Sequence, residues 1–158
     1  MAMAKFKKIV LLVSLTFDLF IIESLIKYYF LNKVPKEGFY LLGKIAQIIY
    51  TPNQNVAFSL PLPQILIIVI VIVILIVLSF IWWQNLKKNN LWELTAYSLI
   101  ILGAVSNLID RLIFGYVIDY INIFFWPVFN LADVMIVAGI IIYILSEFKK
   151  PKVMVNGN

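Results

Sequence analysis

The chain has no cysteine and no histidine among its 158 residues. Without cysteine there is no disulfide, no thiol nucleophile and no thiolate metal site, and the redox compartment leaves no trace in the sequence. Without histidine, a Ser-His-Asp triad and a two-histidine zinc helix are both excluded. Charge is scarce as well: Asp, Glu, Lys and Arg make up 13% of the residues, against about 25% in an ordinary globular chain. For hydrolytic chemistry this leaves a carboxylate pair, a Ser/Lys dyad or an all-carboxylate metal site.

What fills the chain is apolar. Hydrophobic residues account for 63% of it, and the mean hydropathy is +1.00. That is too apolar for a soluble domain with one ordinary core. The length suits about four membrane-spanning helices of ~20 residues each, plus one small extramembrane piece. The formal charge is +5, but the lysines fall in short clusters flanking apolar runs. Such clusters orient a membrane protein, and no nucleic-acid partner is expected.

Lys5, Lys7 and Lys8 precede an apolar run over 9–30. A secretory signal has an apolar region of only about 7–15 residues followed by a small-x-small cleavage site. This run is longer and no such site follows it closely, so it reads as a retained span. Residues 65–83 carry no charge, and Ser79 is their one polar residue. Their isoleucines and valines favour strands, yet the run exceeds any ordinary strand and meets the ~18-residue threshold for a span. Trp82 and Trp83 would sit at the membrane interface. A short polar turn with Lys87 and Lys88 follows, then spans over 92–113 and 128–145, then Lys149, Lys150 and Lys152. Four spans place both termini and all three lysine clusters on one side, which the positive-inside rule makes the cytoplasm.

Residues 31–62 would then face outward, on the extracytoplasmic side. Phe39 to Tyr50 is rich in β-branched, aromatic and aliphatic residues; Thr51-Pro52-Asn53-Gln54-Asn55 is a turn signal; Val56 to Leu60 could return as a second strand before Pro61 and Pro63. The expected architecture is an all-α polytopic membrane protein: four transmembrane helices with a small extracytoplasmic β-sheet, both termini cytoplasmic. Residues 1–150 read as a single membrane-embedded domain and 151–158 as a short cytoplasmic tail.

Ionisable groups at or near bilayer depth are costly and by default mark a working site. Asn107, Asp110 and Arg111 stand at i, i+3 and i+4, on one face near the outer end of the third span. Asn130 and Asp133, at i and i+3, share a face in the first turns of the fourth, and Asp119 lies in the loop joining the two. A structural reading pairs Asp110 with Arg111 or a neighbour and makes Asn130 a helix cap. It does not account for Asp119 and Asp133, which have no basic partner in sequence. Two carboxylates brought together cannot both ionise cheaply, so they share a proton. The ionised member can take a proton from water while the other donates to a carbonyl oxygen. That is peptide hydrolysis with no metal and no cofactor.

On the first span, Glu23 and Lys27 stand at i and i+4, with Asp18 deeper. They suit a helix-stabilising ion pair, worth ~0.3–0.5 kcal/mol when exposed, with Lys27 snorkelling outward. They also suit a substrate-binding role, the reading preferred here. Ser24 and Lys27 also have the residue types of a serine–lysine peptidase, with nothing else in the chain to support one. From another functional class, a small ion- or proton-coupled transporter could use Asp18, Glu23 and the outer carboxylates as a relay. A relay predicts acids spread across the bilayer depth and broken helices at its midplane, whereas most acids here gather at one level.

In order along the chain, these elements resemble those of lipoprotein signal peptidase (signal peptidase II), the membrane aspartyl peptidase family of bacteria. The carriers are Glu23-x-x-x-Lys27, Asn53-x-x-x-Ala57-Phe58-Ser59, Asn107-x-x-Asp110-Arg111, Val117-Ile118-Asp119 and Phe129-Asn130-x-Ala132-Asp133. The resemblance implies that Asp119 and Asp133 are a catalytic dyad, and that Lys27, Glu23, Asn53, Asn107, Asp110, Arg111, Asn130 and Ala132 shape or support the site. It implies a bacterial cytoplasmic-membrane enzyme with its active site on the extracytoplasmic side. Its substrates would be prolipoproteins bearing a diacylglyceryl-modified cysteine, cut just before that cysteine. Membrane lipids and a globomycin-type inhibitor are the other implied partners. Glu23 stands where the family usually has Asp, Ser24 where it has Gln, and Asn55 and Ser106 where it has Gly. The stretch from Asp119 to Asp133 is short for the family.

Overall fold

Four helices dominate the computed structural model, which describes residues 2–33, 38–42, 45–54, 62–88, 90–124 and 126–149. They are α1 (Ala2–Lys33), α2 (Gln64–Lys88), α3 (Leu91–Phe114) and α4 (Leu131–Phe148). Each is long and apolar enough to cross a membrane. The β-branched run of α2 is helical because hydrocarbon offers no partner to an open backbone, and a span must satisfy its hydrogen bonds internally. Only 6% of the most apolar stretch of α2 is buried by the rest of the protein, against 39% for α3. So α2 turns its isoleucines and valines outward, while α3 is the central helix, packed on α1, α2 and α4. The α3–α4 contact is close because its crossing points carry glycine: a Cβ on Gly103 would stand 2.6 Å from the Ala132 carbonyl oxygen, and one on Gly139 2.6 Å from that of Ala96. Ala132 itself is fully buried.

The helix boundaries differ from the sequence reading: α1 begins at Ala2 instead of residue 9, α2 runs to Lys88 instead of 83, and α4 starts late. The fourth span was expected from residue 128, but α4 begins at Leu131 with Asn130 as its N-cap, and Phe129 pairs with Ile121 in an isolated bridge. Asn and Asp at this position satisfy backbone N–H groups that the first helical turn cannot.

The sheet is antiparallel, in the order β1 (Phe39–Leu42), β2 (Ala46–Asn53), β3 (Val117–Ile123). It sits where α1 and α3 end and α2 and α4 begin. Two expectations are corrected here. Thr51-Pro52-Asn53 is not a turn: β2 runs on to Asn53, and Thr51 faces Asp119 across a register shift after Ile48. Proline is tolerated because, among the described residues, β1 pairs only with residues 46–48 of β2 and the strand around Pro52 has a partner on one side alone. Asp119 is likewise not in a loop; it belongs to β3. The expected return strand Val56–Leu60, with Ala57, Phe58 and Ser59, lies outside the described residues, as do Asn55, Lys150, Lys152 and the tail 151–158.

Gly115 ends α3 in the left-handed region (φ 83°), and its N–H closes on the Arg111 carbonyl at 3.1 Å. That turn lets Val117 enter the sheet two residues later. At the far end of the bundle the Trp82 indole donates to Ser98 Oγ (2.9 Å), and the Lys149 ammonium lies 4.0 Å from the centre of the Trp92 ring.

Candidate active site

β3 is covered on both faces over its first half, which buries Val117, Ile118, Asp119 and Tyr120 one after another. A buried carboxylate needs donors, and Asp119 (2% exposed) has two. Asn53 Nδ2 donates to its Oδ2 at 2.7 Å, and Asn130 Nδ2 to its Oδ1 at 2.8 Å. Asn53 reaches it diagonally, since its own partner across the ladder is Val117.

Asn130 also holds Asp133. The two form a reciprocal capping box: the Asp133 N–H donates to Asn130 Oδ1 (2.9 Å), and the Asn130 N–H to Asp133 Oδ2 (3.2 Å). Asn107 Nδ2 donates to the other Asp133 oxygen at 2.8 Å. The Asn130 amide completes the link with Asn107 Oδ1 at 3.1 Å and the Ile118 carbonyl at 3.3 Å. Two acids from separate stretches of chain are therefore tied through one asparagine. The side chain that caps α4 is also the one that reaches Asp119.

Behind Asn107 lies a buried charge cluster. Lys27 (3% exposed) sits 2.8 Å from Asp110 Oδ2 and 3.0 Å from Glu23 Oε1, and donates to Ser106 Oγ (3.0 Å) and Asn107 Oδ1 (3.1 Å). It points inward, so the expected snorkelling does not occur. Asp110 pairs with Lys27 and also accepts from the Ile118 N–H at 3.0 Å. Burying three charges is costly unless each is paired and hydrogen-bonded, as here. The serine–lysine arrangement does not form: Ser24 is exposed and donates to the Phe20 carbonyl at 2.9 Å. Arg111 is buried, in the electrostatic field of Asp119, Asp133 and Asp110, while its carbonyl accepts from Gln64 Nε2 at 2.9 Å. Gln64 thereby fixes the start of α2 to the end of α3, a role its sequence did not signal.

Burial pushes the Asp119 carboxyl from 3.8 up to about 7, and the charge of Asp133 acts in the same direction. The hydrogen bonds from Asn53 and Asn130 and the charge of Lys27 oppose it without cancelling it. Among the described residues no three acids gather into a group that could hold a metal ion. The arrangement can keep one proton on a carboxyl pair near neutral pH, which is what acid–base attack by water requires.

Tyr120 is the residue the sequence reading missed. It is 4% exposed, donates to Glu23 Oε2 at 2.6 Å and accepts from the Leu131 N–H at 3.1 Å. Its ring stacks on Phe30, centroids 4.7 Å apart. Burial first, then the charge of Glu23, raise its phenol well above the usual range, so it remains a donor. The available signal was a tyrosine amid buried strand positions, since a buried phenol requires a hydrogen-bond partner.

Comparison with known proteins places the chain among relatives of one kind. A family model described as signal peptidase (SPase) II matches residues 15–149. The lipoprotein signal peptidase of Thermodesulfovibrio yellowstonii is 33% identical over 138 residues, covering 85% of this chain and 92% of the relative. That of Moorella thermoacetica is 36% identical over 122 residues, covering 77% and 81%. A bacterial membrane enzyme solved by the in meso method at 2.3 Å resolution superposes with a TM-score of 0.78 at 26% identity, covering 95% of this chain and 93% of that one. A second, at 1.9 Å resolution, gives 0.75 at 26% identity, covering 90% and 94%.

Proposed function

Since the chain belongs to the signal peptidase II family, and so is a membrane aspartic endopeptidase that cleaves lipoprotein signal peptides, we propose that Asp119 and Asp133 are its catalytic dyad. The observation that carries this is the shared asparagine: Asn130 binds both acids, and Asn53 and Asn107 hold their outer oxygens. Asp119, the more buried acid, holds the shared proton, and Asp133 is the base. Asp133 takes a proton from a water between them as that water's oxygen attacks the scissile carbonyl, and Asp119 protonates the carbonyl oxygen. Collapse of the tetrahedral intermediate breaks the C–N bond. The proton now on Asp133 passes to the leaving nitrogen, and the intermediate's hydroxyl proton returns to Asp119, which restores the pair.

Lys27, Glu23, Asp110, Arg111 and Ala132 support this pair without touching the reacting atoms. Lys27 orients Asn107; Asp110 anchors β3 through Ile118; Ala132 seats the first turn of α4 on Gly103. The substrate is a prolipoprotein whose cysteine carries a diacylglyceryl group, and the cut falls just before that cysteine. It enters sideways from the outer leaflet with its acyl chains still in lipid. The lysine clusters at 5–8, 87–88 and 149–152 support cytoplasmic termini and an extracytoplasmic site in the bacterial cytoplasmic membrane. Residues 1–150 then act as one membrane-embedded peptidase domain with 151–158 as its cytoplasmic tail, and a globomycin-type cyclic peptide would occupy the dyad. The transporter alternative finds no relay: among the described residues Asp18 is exposed and joins no part of the network.

The test is purified protein incubated with a lipidated precursor, its products mapped by mass spectrometry. A single cut before the modified cysteine, unaffected by chelator, is expected. Cleavage that chelator abolishes, or equal cleavage of the unlipidated precursor, would overturn this reading.

A further inference from the structure

We propose that Tyr120 is a positioning residue for the peptidase reaction, its hydroxyl setting the spacing between Asp119 and Asp133. The inference rests on the dyad assignment and extends it. Tyr120 follows Asp119 directly on β3, and its hydroxyl accepts from Leu131, the first residue of α4 and two before Asp133. The same oxygen donates to Glu23 on α1. The bonds form a closed circuit. Tyr120 binds Glu23, Glu23 binds Lys27, Lys27 binds Asn107, and Asn107 binds Asp133. Asp133 returns through the first turn of α4 to Leu131 and so to Tyr120. One hydroxyl thus references the strand carrying one acid to the helix carrying the other, with α1 as the fixed frame.

A phenol can do this because it donates and accepts at once. It gives its proton to a charged acceptor and keeps a lone pair for the Leu131 N–H, an orphan donor of a helix start. Tyr120→Phe removes both bonds but keeps the ring and its stacking on Phe30. The residue is 4% exposed and its oxygen is engaged by Glu23 and Leu131, so the effect should fall on the turnover rate and not on binding.

The experiment is steady-state cleavage of a lipidated precursor by four purified proteins: wild type, Tyr120→Phe, Phe30→Leu and Asp119→Asn. Phe30→Leu takes away the stacking partner and leaves the hydroxyl in place. Tyr120→Phe should lower kcat about tenfold to a hundredfold, the scale of an ångström-level misplacement. Its KM should stay within about twofold, and Phe30→Leu should keep both constants within about twofold. Wild-type kcat in Tyr120→Phe overturns the inference, as does an equal loss in Phe30→Leu, which would make the effect one of packing. If Asp119→Asn is inactive while Tyr120→Phe is fully active, this inference fails alone. If Asp119→Asn still cuts, the dyad assignment fails first.

Discussion

The side-chain amide of Asn130 donates to Asp119 Oδ1 at 2.8 Å from the N-cap of the helix whose third residue is the other acid. A helix cap is a fixed point, because its oxygen is committed to the first turn. Its remaining amide is therefore aimed, and Asp119 receives it without further ordering.

Asn130→Ser separates the two jobs of this residue. Serine caps a helix about as well as asparagine, but lacks the amide that reaches Asp119. The turnover rate should fall about a hundredfold, as for loss of one preorganised donor, with the helix intact. Asn130→Ala should lose the rate and, in addition, about 1 kcal/mol of stability. Cleavage kinetics and denaturant unfolding in micelles check both.

Lys27→Met would leave Glu23 and Asp110 buried without their shared cation. Breaking a buried ion pair by removing one partner costs about 3–5 kcal/mol. A clear drop in the unfolding midpoint is expected, together with a loss of cleavage rate, because Asn107 loses one of the two donors to its oxygen.

The raised Asp119 carboxyl has consequences on two pH scales. The folded state keeps this proton up to about 7, while the unfolded chain releases it near 3.8. Between those values the folded state binds more protons, so the contribution of Asp119 to stability falls as pH rises and levels off above about 7. Asp119→Asn should therefore gain stability relative to wild type across that window, as read by unfolding at a series of pH values. In the wild type, kcat/KM should decline as pH passes above about 7, because the shared proton is lost from the free enzyme.

Gly103→Ala and Gly139→Ala form a matched pair. Each added methyl would stand 2.6 Å from a backbone carbonyl of the facing helix. Overpacking of this kind costs about 1–3 kcal/mol at either place. Only Gly103 lies under Ala132 in the first turn of α4, so only its substitution should also lower kcat. Gly139 meets Ala96 farther along the bundle and should affect stability alone.

How much of this the chain disclosed depended on the range of each interaction. Long apolar runs announced the four spans, since lipid leaves a long chain no option but a helix. Asn107, Asp110, Asn130 and Asp133 were legible because helical spacing is local. Val117–Ile123 was not, because seven residues between two helices look like a loop until β2 supplies a ladder. For the same reason Thr51-Pro52-Asn53 read as a turn, although the register with β3 is what brings Asn53 to Asp119. The Glu23–Lys27 pair was legible as a local i, i+4 spacing, but the inward turn of Lys27 was not, because its second partner, Asp110, lies on another helix. Glu23 and Ser106, which the resemblance marked as departures, both bind that same lysine.

One measurement bears most directly on the whole: single-turnover cleavage of a lipidated precursor by purified Asp119→Asn and Asp133→Asn, each shown to be folded in the membrane. Neither should release signal peptide at a detectable rate, while wild type cleaves completely. Release by either variant at a rate near wild type would mean that the two acids joined through Asn130 do not perform the hydrolysis.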